Sequence, residues 1–278
     1  MREVTFGQYY PVSSFVHKMD ARIKILLTIA YIVAVFLVKE FYFLGYAVSV
    51  AFLLIACIFS KIPVVKILKS LKAILFFVIF SSVLQIFFNT SGNMLVEWYF
   101  IKITDVGLYK ALFITLRIML IVMGTSLLTL TTTPVELADG IESLLSPLKI
   151  IKFPAHEFAL IMSIALRYIP TLMDETDRII KAQKARGADF ESGNILKRAK
   201  ALIPILIPLL IGSFRRADEL ADAMEARCYV GAKGRTKYKK QRITYRDLLG
   251  VIFTALVVFL ICATNGWVNP TWFIVLPL

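Results

Sequence analysis

Apolar residues are grouped into five runs, at positions 25–38, 41–60, 73–88, about 111–131 and 248–264. The first is bounded by Arg22 and Lys24 before it and by Lys39 and Glu40 after it. The break to the second run is so brief that the two form a tight hairpin. Lys61, Pro63, Lys66, Lys69 and Lys72 then read as a basic connector, and the third run ends in the turn-prone Asn89-Thr90-Ser91-Gly92-Asn93. A nearly charge-balanced loop through Glu97, Lys102 and Asp105 leads to the fourth run, which carries Arg117. A bilayer core of about 30 Å takes roughly 20 mostly apolar residues per helix. The pattern therefore predicts an all-α integral membrane protein with about five transmembrane helices.

Between the fourth and fifth runs the chain is polar, with two shorter apolar stretches. Positions 158–166 lie between Glu157 and Arg167, and positions 201–214 lie between Lys200 and Arg215 with Pro204 and Pro208 inside. At 1.5 Å per residue neither crosses the hydrocarbon. They read as helices at the interface, or as a short buried hairpin. Charged helices are expected after them, from about Thr171 to Arg186 and from about Ser213 to Arg227, with Pro170, Pro204 and Pro208 as breaks or bend points. Three regions result: 1–133 with four spans, 134–246 with the charged helices, and 247–278 with the last span and its tail.

Composition agrees with a membrane location: 58% hydrophobic residues and a mean hydropathy of +0.75 exceed what a soluble domain of 278 residues buries. The net charge of +13 does not indicate nucleic acid, because the basic residues cluster at the ends of apolar runs and in the polar region. That region holds 20 basic and 14 acidic residues from Pro134 to Asp247, which assigns it to the cytoplasm. With five spans the N-terminus is also cytoplasmic and the C-terminus extracellular. The polybasic run Lys233, Arg235, Lys237, Lys239, Lys240 and Arg242 is expected against anionic lipid. Residues 1–20 are polar and aromatic, so no cleavable signal peptide is expected.

Candidate chemistry is sparse. Cys57, Cys228 and Cys262 are widely spaced, and His17 and His156 sit in no metal-binding motif, so no metal site is expected. Asp174, Glu175 and Asp177 cluster, as a membrane-bound lipid-processing hydrolase would require, but they lie among Arg178, Lys181 and Lys184 without a histidine. Arg117 is close enough to the outer end of its span to snorkel to the interface.

The informative feature is a repeat. Ala182-Gln183-Lys184-Ala185-Arg186-Gly187 and Ala223-Met224-Glu225-Ala226-Arg227-Cys228 share the pattern Ala-x-x-Ala-Arg, each at the end of a charged helix. Ile179, Ala182 and Arg186 fall on one face, as do Leu220, Met224 and Arg227. The alanines leave a slim tip suited to a groove on another protein, and an arginine fork makes directed hydrogen bonds there. The plain alternative is a pair of ordinary helix-terminal arginines on helices laced by Asp174 with Arg178 and Asp177 with Lys181. Two matching ends in one polar region bring docking level with that alternative.

These motifs resemble the transmembrane coupling subunit, or T component, of energy-coupling-factor transporters. The likeness extends over nearly the whole chain. It includes His17-Lys18-Met19-Asp20-Ala21-Arg22-Ile23-Lys24, Thr131-Thr132-Thr133-Pro134-Val135-Glu136-Leu137 and Arg215-Arg216-Ala217-Asp218-Glu219-Leu220. The resemblance implies a non-catalytic subunit of a multi-pass import complex in the cell membrane. Its partners would be two ATP-binding-cassette ATPases, which bind the ATP and magnesium, and a small membrane substrate-binding (S) component. The cargo would be a vitamin or related micronutrient, or nickel or cobalt if the subunit is dedicated to one importer. The docking residues carried over are Ala185, Arg186 and Gly187 with Ala226, Arg227 and Cys228. Cys228 stands where glycine is usual, and a left-handed helix stop is less easily formed there.

Overall fold

The structure is a computed structural model that describes residues 9–39, 43–72, 74–88, 93–98, 101–145, 155–190, 195–231 and 244–267. Its elements in chain order are α1 (Ala21–Leu37), α2 (Phe43–Ser60), α3 (Val64–Leu71), α4 (Leu75–Phe88), β1 (Met94–Trp98), β2 (Ile101–Thr104), α5 (Asp105–Thr131), α6 (Pro134–Leu145), α7 (Ala155–Ala185), α8 (Ile195–Glu225) and α9 (Tyr245–Trp267). They fall into two compact units, Thr5–Ile141 with Lys240–Leu278 and Glu142–Lys239, the latter together with Met1–Val4.

The first unit is an apolar bundle. α2, α5 and Tyr245–Thr264 of α9 are each long and apolar enough to cross a membrane, with mean hydropathies of 2.3, 2.1 and 2.4. α3 and α4 meet at 60° and together make a fourth candidate span. α1, with 17 residues, reaches about 25 Å. The apolar surface runs all round these helices, as in lipid: Phe36, Ile58, Phe76, Phe88 and Phe259 are exposed while Tyr31, Val35, Leu53 and Ile261 are buried. The protein is thus an all-α integral membrane protein, with one small hairpin.

Two expectations on the chain before α5 are corrected. The lysine-rich connector is the amphipathic helix α3, where Ile67 is fully buried and Lys66 lies 3.6 Å from the centre of the Tyr10 ring. Val64, Ile67, Leu68 and Leu71 already carried a helical spacing that the lysines obscured. The charge-balanced loop is an antiparallel hairpin of β1 and β2 in which Glu97 pairs with Lys102 and Trp98 with Ile101.

α1 is central, with Tyr31, Ala34, Val35 and Val38 packed among Tyr46, Leu53, Phe113, Leu120, Val257 and Ile261. Phe52 stacks on Tyr31 at 5.1 Å and on Phe253 at 5.4 Å, joining α1, α2 and α9. α5 comes close to α1 because Gly124 has no side chain: a Cβ there would lie 2.7 Å from Tyr31 Cε1. Arg117 of α5 reaches the C-terminal end of α1. It is partly buried, and its Nη2 donates to the Val38 carbonyl at 2.6 Å, capping the C-terminus of α1.

Polar residues around the start of α1 and the end of α5 meet in a buried knot. Lys24, 5% exposed, donates from Nζ to the Thr131 carbonyl at 3.0 Å, the His17 carbonyl at 3.2 Å and Thr132 Oγ1 at 3.4 Å. Asp247, 1% exposed at the start of α9, accepts the Asp20 N–H at 2.8 Å and the Thr244 N–H at 2.7 Å. Asp20 in turn caps α1 by accepting the Arg22 N–H. Thr133 and Glu136 form a reciprocal capping box at the start of α6, each accepting the other's backbone N–H at 3.2 Å. Three chain segments distant in sequence are fixed together at one end of the bundle.

The second unit contains two helices of 31 residues, α7 and α8, each about 46 Å long. The short apolar helices and charged helices expected from sequence are therefore continuous: Pro170 lies inside α7, and Pro204 and Pro208 inside α8. Proline removes one backbone hydrogen bond, but its fixed φ is itself helical.

Candidate coupling site

Both long helices end in the same way. In α7 the Gly187 N–H donates to the Lys184 carbonyl and the Ala188 N–H to the Gln183 carbonyl, each at 3.0 Å. In α8 the Cys228 N–H donates to the Glu225 carbonyl at 2.8 Å and the Tyr229 N–H to the Met224 carbonyl at 3.1 Å. Each is a Schellman closure, with Arg186 or Arg227 at the last half-helical position. The left-handed residue that follows is Gly187 at φ +85° in one and Cys228 at φ +55° in the other. The cap forms at Cys228 although that residue carries a Cβ.

Ala185, Arg186 and Gly187 are exposed, as are Ala226, Arg227 and Cys228. The repeat read from sequence is thus a repeat of backbone geometry, with an arginine leaving each tip at the same point of the closure. The helices expected to end at Arg186 and Arg227 have their last α-helical residues at Ala185 and Glu225.

The charge pattern on these helices differs from the expected lacing. Among the described residues, Asp174 with Arg178 and Asp177 with Lys181 make no ion pair. The pairing that forms joins the helices: the Arg216 guanidinium of α8 donates to the Glu175 carboxylate of α7, both side chains partly buried. Gly212 lies beside this pair, where a Cβ would meet Glu175 Oε1 at 3.2 Å. Arg215 pairs along its own helix with Glu219 at 3.2 Å. Arg216 was visible in sequence only as part of a motif, because its partner is 41 positions away.

These features define a helical membrane protein that carries a pair of crossed, arginine-tipped helices. Residues 12–238 match the family model described as CbiQ, cobalt transport protein. The chain is 50% identical over 268 residues to the energy-coupling factor transporter transmembrane protein EcfT of Clostridium kluyveri, covering 96% of this chain and 98% of the relative. It is 51% identical over 249 residues to EcfT of Ruminiclostridium cellulolyticum, covering 90% and 92%. It is 48% identical over 252 residues to EcfT of Streptococcus thermophilus, covering 91% and 95%. The chain belongs to this family, that of the energy-coupling transmembrane components of energy-coupling factor transporters. Such proteins are transport components and not enzymes, which sets aside the hydrolase reading of Asp174, Glu175 and Asp177.

Proposed function

We propose that this chain couples two ATP-binding-cassette ATPases to a small membrane substrate-binding component, for import of vitamins or related micronutrients. The observation that carries this reading is the pair of matching Schellman-closed tips, which present Arg186 and Arg227 in the same way. A symmetric pair of projections suits two like partners. Each tip, Ala185-Arg186-Gly187 and Ala226-Arg227-Cys228, enters a groove on one ATPase, where the guanidinium meets carboxylates or carbonyls. ATP and magnesium are held by those partners. ATP binding draws the ATPases together, the angle between α7 and α8 changes, and the substrate-binding component tilts toward the cytoplasm.

In this reading the chain is a multi-pass protein of the cell membrane, with its N-terminus and residues 134–246 cytoplasmic and its C-terminus extracellular. The basic excess of that region supports the sidedness. The test is Arg186→Glu combined with Arg227→Glu in the assembled transporter. Loss of ATPase binding and of ATP-driven uptake, with membrane insertion intact, is the expected result; uptake equal to the unaltered chain would exclude it. A dedicated nickel or cobalt importer is the second reading, favoured by the match of residues 12–238 to the cobalt transport protein family. Identifying the substrate-binding component that copurifies from native membranes separates the two.

A further inference from the structure

The start of α7 and the end of α8 enclose an open cavity of about 460 Å³, within the range of ligand-sized pockets. Leu160 and Ile164 of α7 and Leu220 and Met224 of α8 form its apolar walls. Arg227 lines it from the α8 tip, and Arg167, sixty positions earlier, lines it from α7. Both arginines are exposed, and among the described residues neither guanidinium makes a hydrogen bond or an ion pair. Among the described residues no carboxylate lines the cavity.

Two like charges on one partly apolar pocket repel each other, and an anion placed between them converts that repulsion into two attractions. The apolar walls favour a carboxylate carried on a side chain beside an apolar residue over a small hydrated anion. We propose that Arg167 and Arg227 together form a clamp for an acidic side chain of the ATPase docked at the α8 tip. The clamp rests on the docking role proposed for Arg227 and adds to it a second arginine, which lies outside the repeated motif. Arg167 reads in sequence as the mere end of an apolar stretch, because its proximity to the cavity depends on α7 and α8 passing in opposite directions.

The test uses the full chain assembled with its ATPases and membrane partner. Arg167→Glu is expected to weaken ATPase binding by at least about tenfold. Arg167→Lys retains most of the binding, and Arg178→Glu, exposed on α7 outside the cavity, binds as the unaltered chain does. A second readout is independent of charge reversal: the thiol of Ser163→Cys, on the α7 wall of the cavity, reacts with maleimide in the free chain and is protected by bound ATPases, as mapped by mass spectrometry. If Arg167→Glu binds normally, or position 163 stays equally reactive, while Arg227→Glu loses an ATPase, the clamp is wrong and the docking role stands. If Arg186→Glu with Arg227→Glu binds normally, the docking role falls and the clamp falls with it.

Discussion

Glu175 and Arg216 pair across α7 and α8 at matching positions, eleven residues before Arg186 on one helix and eleven before Arg227 on the other. At 1.5 Å per residue the contact lies roughly 16 Å from each tip. Gly212 allows the approach, and the partial burial of both side chains strengthens the pair beyond a fully solvated one.

Glu175→Gln is expected to cost about 1 kcal/mol or a little more, since both partners retain some water. ATPase binding at the tips should persist while uptake per ATP hydrolysed falls. The exchange Glu175→Arg with Arg216→Glu should restore much of the uptake. Comparison of uptake and ATP hydrolysis in proteoliposomes checks this; full loss of ATPase binding in Glu175→Gln would assign the pair to docking instead.

Cys228→Gly should stabilise the α8 cap by about 1 kcal/mol, because cysteine is held at φ +55° where glycine carries no steric penalty. Gly187→Ala should destabilise the α7 cap by a similar amount through φ alone, since a Cβ at Gly187 meets nothing within 4 Å. Hydrogen exchange of the amides at 187 and 188, and at 228 and 229, reports both changes.

Lys24→Met leaves the Thr131 and His17 carbonyls without their buried donor and should cost about 2–3 kcal/mol. Asp247→Asn removes one of two accepting oxygens and turns an amide donor toward a backbone N–H, with a loss of about 1–3 kcal/mol. Thermal unfolding in detergent should place both variants well below the unaltered protein.

The spans and the arginine tips were legible because each depends on local spacing. Gly187 marked the end of α7 directly. The Asp20–Asp247 contact was not legible: 227 positions separate the two, and only the folded bundle brings α9 beside the start of α1. The Lys24 contacts to Thr131 and Thr132 were hidden for the same reason. Helix α3 was obscured by its lysines, whose long stems are compatible with a helix that buries Ile67. The prolines misled because they were weighed as local breaks, while each long helix continues on both sides of them. The expected pairs of Asp174 and Asp177 failed because helical spacing permits an ion pair without requiring it, and the partnership that forms, Glu175 with Arg216, depends on tertiary approach.

His17 gives a pH dependence at the same end of the bundle. Its Nε2–H donates to the Tyr10 carbonyl at 2.9 Å and its Nδ1 accepts the Ser14 hydroxyl at 2.7 Å, an arrangement satisfied by the neutral ring. Burial, with the nearby positive charge of Lys24, holds its pKa below the ordinary 6.5. A folded-state pKa below the unfolded one means that the unfolded chain binds more protons on acidification. The stability it contributes is complete above about pH 6.5 and is lost as pH falls through the lower, folded value. Thermal unfolding measured from pH 7.5 to 5 should show a drop that His17→Gln lacks; an identical slope in both proteins would rule it out.

The equal spacing of Glu175 from its own tip and of Arg216 from its own has a mechanical consequence. Two rigid rods crossed at such a point behave as scissors with blades of one length. Turning one blade against the other about the pin sweeps both arginines through arcs of the same size. Neither end gains stroke at the expense of force, so in the proposed coupling an inward pull on the two tips would reach the crossing as a balanced rotation.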